Sequence, residues 1–178
     1  MLALAALLLL TRPPQSSPHN LSYLRAKIDA EAAKLKWVVT MTDTPTHPPY
    51  VVTRGLSVDA TLMFMSVQSF ASKSEASRGL ASAKTYHKSY VVLEEPKLDS
   101  YGLKVYVPDF SNKRISNMKT YAGSAMQILG VVGHDLITID LGLAPELGRK
   151  SNKDKTFEQI YNDAISLAKF LAKELKKK

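Results

Sequence analysis

The sequence predicts an α+β fold: a central antiparallel sheet packed by helices, with one long helix at the C-terminus. Three observations carry this. From Thr156 to Lys178, Phe157, Ile160, Tyr161, Ala164, Leu167, Ala168, Leu171 and Leu175 recur at steps of three and four. That spacing lays them on one face of a 3.6-residue helix. Strand-like runs follow one another in two groups, before and after a single helical stretch near residues 72–86, which is the order of an α+β domain rather than of βαβ units. Finally, Met126–Val132 and Leu136–Leu141 flank the short turn Gly133-His134-Asp135, and a short turn between β-rich runs forces antiparallel pairing.

Each element follows from its residues. Met1 to Leu10 (MLALAALLLL) is a continuous apolar run. It is shorter than the roughly 20 residues that span a bilayer, so no transmembrane span is expected, and its length suits the apolar region of an export signal, although no Lys or Arg precedes it and no small-x-small cleavage site follows it; a buried or anchoring helix is the other reading. Thr11 to Pro18 holds three prolines and reads as a linker. The division predicted is residues 1–18 as leader and linker, and 19–178 as a single domain. Asn20 can cap a helix reaching about Lys36, with Leu21, Leu24, Ile28, Ala32 and Leu35 as its apolar stripe. Glu31 can pair there with Lys27 or Lys34.

From Trp37 the period changes. Lys36 to Met41 reads as a strand, Asp43 to Pro49 as a turn, and Tyr50 to Thr53 as a short strand broken by Gly55. Val58 to Val67 is a longer, more buried strand, with Asp59 an odd polar insertion. Ser72 and Glu75 make a capping box for a helix to about Tyr86, with Ala76, Leu80 and Ala83 inward. Gly79 inside it costs roughly 1 kcal/mol of helix propensity. Strands follow at Ser89–Glu94, Leu103–Val107, Met118–Tyr121 and the 126–141 hairpin, in which Leu136, Thr138 and Asp140 alternate with Ile137, Ile139 and Leu141. Ala144 to Asp154 is a polar connection. Thr156 with Gln159 is a second capping box, opening the last helix.

This order of strands, one helix, more antiparallel strands and a long C-terminal helix resembles that of the PsbP-like family of extrinsic photosystem proteins. The likeness covers about Trp37 to Lys178 and is one of element order, so it carries over no site residue. It implies an exported accessory or binding protein rather than an enzyme, although a fold does not fix a function.

Charge and composition narrow the chemistry. The formal charge is +8, and Arg149 to Lys178 carries nine basic against four acidic residues. A basic end on a nearly balanced body reads as a solvated helix face, or as attraction to an anionic surface such as lipid or nucleic acid. There is no cysteine, which excludes disulfides, thiolate nucleophiles and cysteine metal sites. Gly-rich phosphate loops and G-x-S-x-G elbows are absent.

The histidines His19, His47, His87 and His134 have no partner at metal-ligand spacing, so no metal or cofactor is expected. His134-Asp135, with Asp140 nearby, is the best catalytic cluster, since a carboxylate beside an imidazole can orient it. A turn-forming role for Asp135 competes with that reading. Glu94-Glu95 before Pro96 reads as an exposed loop. Tyr101, Lys104, Tyr106, Lys113, Arg114 and Lys119 interleave aromatic and basic residues, the requirement of a single-stranded nucleic-acid groove. The leading expectation is a non-enzymatic, exported or membrane-associated protein that binds a partner protein or an anionic surface. The alternatives are a small hydrolase-like or metal-assisted enzyme using His134, Asp135 and Asp140, and a nucleic-acid module using the aromatic and basic set.

Overall fold

Strict alternation in the central strands decides the architecture. Along Thr61–Ser69, Thr61, Met63, Met65, Val67 and Ser69 are buried while Leu62 and Phe64 are exposed, so one face of the sheet is core and the other is only partly covered. The computed structural model describes residues 17–43, 50–58, 61–85, 90–108, 124–143 and 155–177. The elements are α1 (Leu24–Lys34), β1 (Val38–Thr42), β2 (Val51–Val58), β3 (Thr61–Ser69), α2 (Lys73–Thr85), β4 (Tyr90–Leu93), α3 (Pro96–Asp99), β5 (Leu103–Pro108), β6 (Ser124–Val132), β7 (Asp135–Leu143) and α4 (Phe157–Lys176). They form a seven-stranded sheet in the order β1-β2-β3-β7-β6-β5-β4. Every neighbouring pair is antiparallel, so the predicted α+β class with a central antiparallel sheet and a long C-terminal helix is the observed one.

The α4 helix packs its stripe on the core face. Ile160, Ala164, Leu167, Ala168, Leu171 and Leu175 are buried, and Ile165 and Ala172 widen the stripe. They meet Met63, Met65, Val67, Val105, Ile128, Ile137, Ile139 and Leu141 in one core. Each fully buried Leu contributes about 1.5–3 kcal/mol. Both halves of the capping box form: Thr156 Oγ1 accepts from the Gln159 N–H, and Gln159 Oε1 accepts from the Thr156 N–H. The α1 helix lies beside α4 and adds Leu24, Ile28 and Ala32 to the same core.

The polar edges of α4 fasten its surroundings. Trp37 Nε1 donates to Asp163 Oδ2 at 2.8 Å, and Lys155 pairs with the same carboxylate. Lys27 of α1 pairs with Glu174. Hydrogen bonds from Lys177 and then Lys27 hold the Glu174 carboxyl below its ordinary value. Tyr161 Oη donates to Glu95 Oε2 at 2.7 Å. Burial, and then this bond, push the Tyr161 phenol well above its ordinary range. Glu95 is thus tied on both oxygens, since Oε1 caps α3 by accepting from the Lys97 N–H.

Several boundaries differ from the sequence reading, each for a physical reason. Helix α1 begins at Leu24 with Tyr23, not Asn20, at its cap position, because Asn20 Oδ1 accepts from the Ser22 N–H and closes a turn ahead of it. It ends at Lys34 in a Schellman arrangement: Trp37 N–H donates to Ala32 O and Lys36 N–H to Ala33 O. Lys36 takes φ 60° there, costing about 1 kcal/mol for a residue with a Cβ. Gly55 does not break β2. It sits inside the strand opposite Met41, where a Cβ would approach Met41 Cβ to 2.8 Å. Val58 closes β2, and the next strand starts at Thr61. The leader, Asp59, Met118–Tyr121 and Ala144–Asp154 lie outside the described residues.

On the second face α2 covers β6 and β7. At the β1–β3 end of that face Val38, Met41, Leu62 and Phe64 are exposed. A charged network closes the joint between α1 and β2. Arg54, only 4% exposed, pairs with Asp29 and Asp43, and Arg25 also pairs with Asp43. Burial alone would push the Asp43 carboxyl up, but hydrogen bonds from Arg25 and Arg54 outweigh it and hold the group below its ordinary value.

Two outcomes follow. Leu171→Ala is expected to lose about 2–5 kcal/mol in urea melts, the transfer-plus-cavity penalty of a buried Leu; a parent-like melt would show that α4 is not packed on the sheet. For Asp43 the folded value lies below the unfolded one, so its stabilisation is present above the ordinary carboxyl range and is lost as pH falls from there through the lower folded value. Asp43→Asn should therefore cost about 3–5 kcal/mol at neutral pH, leaving two arginines short of a partner. The gap to the parent should narrow in melts repeated near pH 3.

Candidate functional site

The two residues that end β3 and follow it assemble the site. Ser69 pairs with Asp135 in the β3–β7 ladder, which fixes Asp135 as the first residue of β7. Val132 pairs with Asp135 from the other side, so the hairpin turn is Gly133-His134, with Gly133 at φ 64°. Phe70 brackets His134 with both backbone groups. Its N–H donates to His134 O at 3.0 Å, and its carbonyl accepts from His134 Nδ1. The Ser69 hydroxyl oxygen accepts from the His19 N–H at 2.8 Å. Helix α2 can lie this close because of Gly79: a Cβ there would meet the Phe70 ring at 2.9 Å.

These anchors bring His19, His134 and Asp135 together, each offering one metal-ligating atom within 4.8 Å of the others. The His19 and His134 Nε2 atoms are 2.8 Å apart, their rings 3.9 Å between centroids at 65°. His19 Nδ1 lies 3.7 Å from Asp135 Oδ2. The Asp135 side chain is 4% exposed and that of His19 is 38%, so the cluster is closed on the core side and open on the other. On the core side lies Tyr23. Burial raises its phenol pKa, and the Asp135 charge raises it further.

The electrostatics of the cluster follow from one carbonyl. A carbonyl only accepts, so His134 Nδ1 carries a proton and a neutral His134 presents its Nε2 lone pair to His19. His19 Nε2 must then donate. That leaves a neutral His19 with a bare Nδ1 aimed at a carboxylate oxygen, lone pair against negative charge. His19 Nδ1 and Asp135 Oδ1 are both buried and accept no hydrogen bond. With both rings neutral, no donor stands between the His19 Nδ1 lone pair and the carboxylate. The arrangement also has the outer-sphere feature of metal sites, an imidazole whose far nitrogen is held by a backbone carbonyl. Ligation by both rings needs their 2.8 Å separation to open by about half an ångström, given metal–nitrogen bonds near 2.0–2.1 Å.

The other sequence candidates fall elsewhere. Asp140 is on the opposite face from Asp135, five residues along the same strand, and accepts from Gln127 Nε2. Tyr101 and Tyr106 do not line one groove. Tyr101 packs against the core beside α4, with Lys176 Nζ 4.7 Å from its ring centroid; Tyr106 is on the second face under Lys84 of α2. Lys104 is engaged with Asp99, whose hydrogen bond raises the Lys104 pKa. Lys113, Arg114 and Lys119 lie outside the described residues. At the basic end, Lys176 donates to Ser100 O and Lys177 pairs with Glu174. No described helix is long and apolar enough to cross a membrane.

Sequence spacing missed His19, which is separated from His134 by 115 positions. One signal was present: Asp135 shares strand parity with Ile137, Ile139 and Leu141, all buried. A carboxylate in an apolar row needs a cationic partner. Compared with family models, with curated proteins and with solved structures, the chain finds no match in any of the three.

Proposed function

We propose that this chain is a non-enzymatic binding protein whose ligand is a divalent transition-metal ion, held by His134 Nε2, a ring nitrogen of His19 and a carboxylate oxygen of Asp135. The observation that carries the reading is the orientation of His134: the Phe70 carbonyl accepts a hydrogen bond from its Nδ1–H and turns Nε2 onto His19, beside a desolvated carboxylate. Two imidazoles and one carboxylate suit zinc, cobalt, nickel or copper. Calcium and magnesium prefer shells of oxygen and are poorly served here. The apolar run Met1–Leu10 and the likeness in element order to PsbP-like proteins support an exported or membrane-associated setting and an accessory role. The separation of Tyr101 from Tyr106 weighs against a nucleic-acid groove built on that pair.

Calorimetric titration of the full chain with zinc at neutral pH tests this. About one ion per chain is expected, with a micromolar or tighter Kd, near −8 kcal/mol or below. His134→Gln and Asp135→Asn should each weaken binding at least about 100-fold, the upper end of what loss of an outer-sphere partner alone costs, with circular dichroism showing the fold retained. No binding by the parent, or variants that bind as the parent does, would overturn the metal reading.

A further inference from the structure

Resting on the metal reading above, we infer that the ion is a clasp: its occupancy fastens the segment ahead of α1 to the end of the β3–β7 ladder. The three ligands belong to two bodies. His134 and Asp135 are parts of the β6–β7 hairpin, the first bracketed by Phe70 and the second paired on both sides by Val132 and Ser69. His19 belongs to no helix or strand. It reaches the sheet through its N–H to Ser69 Oγ and through its ring.

Burial changes sharply at His19. Leu21 and Leu24, just after it, are fully buried in the core, whereas Ser17 and Pro18, just before it, are exposed. The attachment formed by its side chain is one hydrogen bond, 2.8 Å to His134 Nε2, and a 3.7 Å approach to a carboxylate. An ion shared by His19, His134 and Asp135 replaces these with coordinate bonds of about 2 Å. Detaching the segment then requires giving up a ligand of the ion. Detachment is suppressed by at most the factor 1 + [M]/Kd, about 100-fold when free metal is 100 times Kd, and by less to the extent that His134 and Asp135 keep hold of the ion.

Hydrogen exchange of the full chain, without and with zinc, reads this at the His19 amide, which is protected by Ser69 Oγ. Zinc at 100 times the measured Kd should slow that amide at least about tenfold. The amides of Ile137 and Ile139, deep in β7, should change much less. His19→Ala and His19→Gln should both remove the zinc effect at residues 17–20 and weaken zinc binding. Calorimetry on the same samples separates the two levels of the proposal. Zinc binding with unchanged exchange at His19 overturns the clasp and leaves the metal site standing. Equal slowing across β7 and residues 17–20 is global stabilisation and also overturns the clasp. Absence of zinc binding overturns both.

Discussion

Everything in this protein depends on burying one apolar helix face on one sheet face. The α4 stripe is too wide to be left in water, and among the described residues the apolar surface that receives it is the row of inward residues from β3, β7, β6 and β5. Because side chains alternate with a period of two, accepting α4 fixes the register of each of those strands: a slip of one residue would send Met63, Met65 and Val67 to the other face together. The polar margins of the helix then have defined neighbours. Asp163, Glu174 and Tyr161 reach Trp37, Lys27 and Glu95, so one helix links α1, the start of β1 and the β4–β5 connection.

That register also creates the site. The parity that buries Ile137 and Ile139 buries Asp135, and a desolvated carboxylate without a compensating charge is unfavourable by several kcal/mol. The same ladder places Ser69 opposite Asp135 and Phe70 against the hairpin turn. Two adjacent residues at the end of β3 therefore hold the two histidines, one by its backbone and one by its ring. Core packing positions the scaffold, and the scaffold gathers two imidazoles beside the buried Asp135 carboxylate.

Much of the scaffold was legible in the sequence because its signals are periodic and local. The α4 stripe, its Thr156–Gln159 capping box and the 126–141 hairpin all lie within short windows, and they appear in the structure with small shifts at their ends. Gly55 was misread as a breaker because its role depends on Met41 across a strand pair, which no local window contains. Glu95 reads as an exposed loop residue until Tyr161 arrives from α4. The His19 contribution was hidden for the same reason, since it depends on a contact between the start of the domain and its last hairpin. Asp140 attracted notice by being near His134 in sequence, yet strand parity sends it to the opposite face.

The most direct measurement is an anomalous difference map from crystals of the full chain grown with zinc, collected at the zinc absorption edge. A single strong peak about 2.0–2.2 Å from His134 Nε2, a His19 ring nitrogen and an Asp135 carboxylate oxygen is the expected result. Zinc bound elsewhere, with His19 and His134 still in direct ring contact and no peak between them, would contradict it.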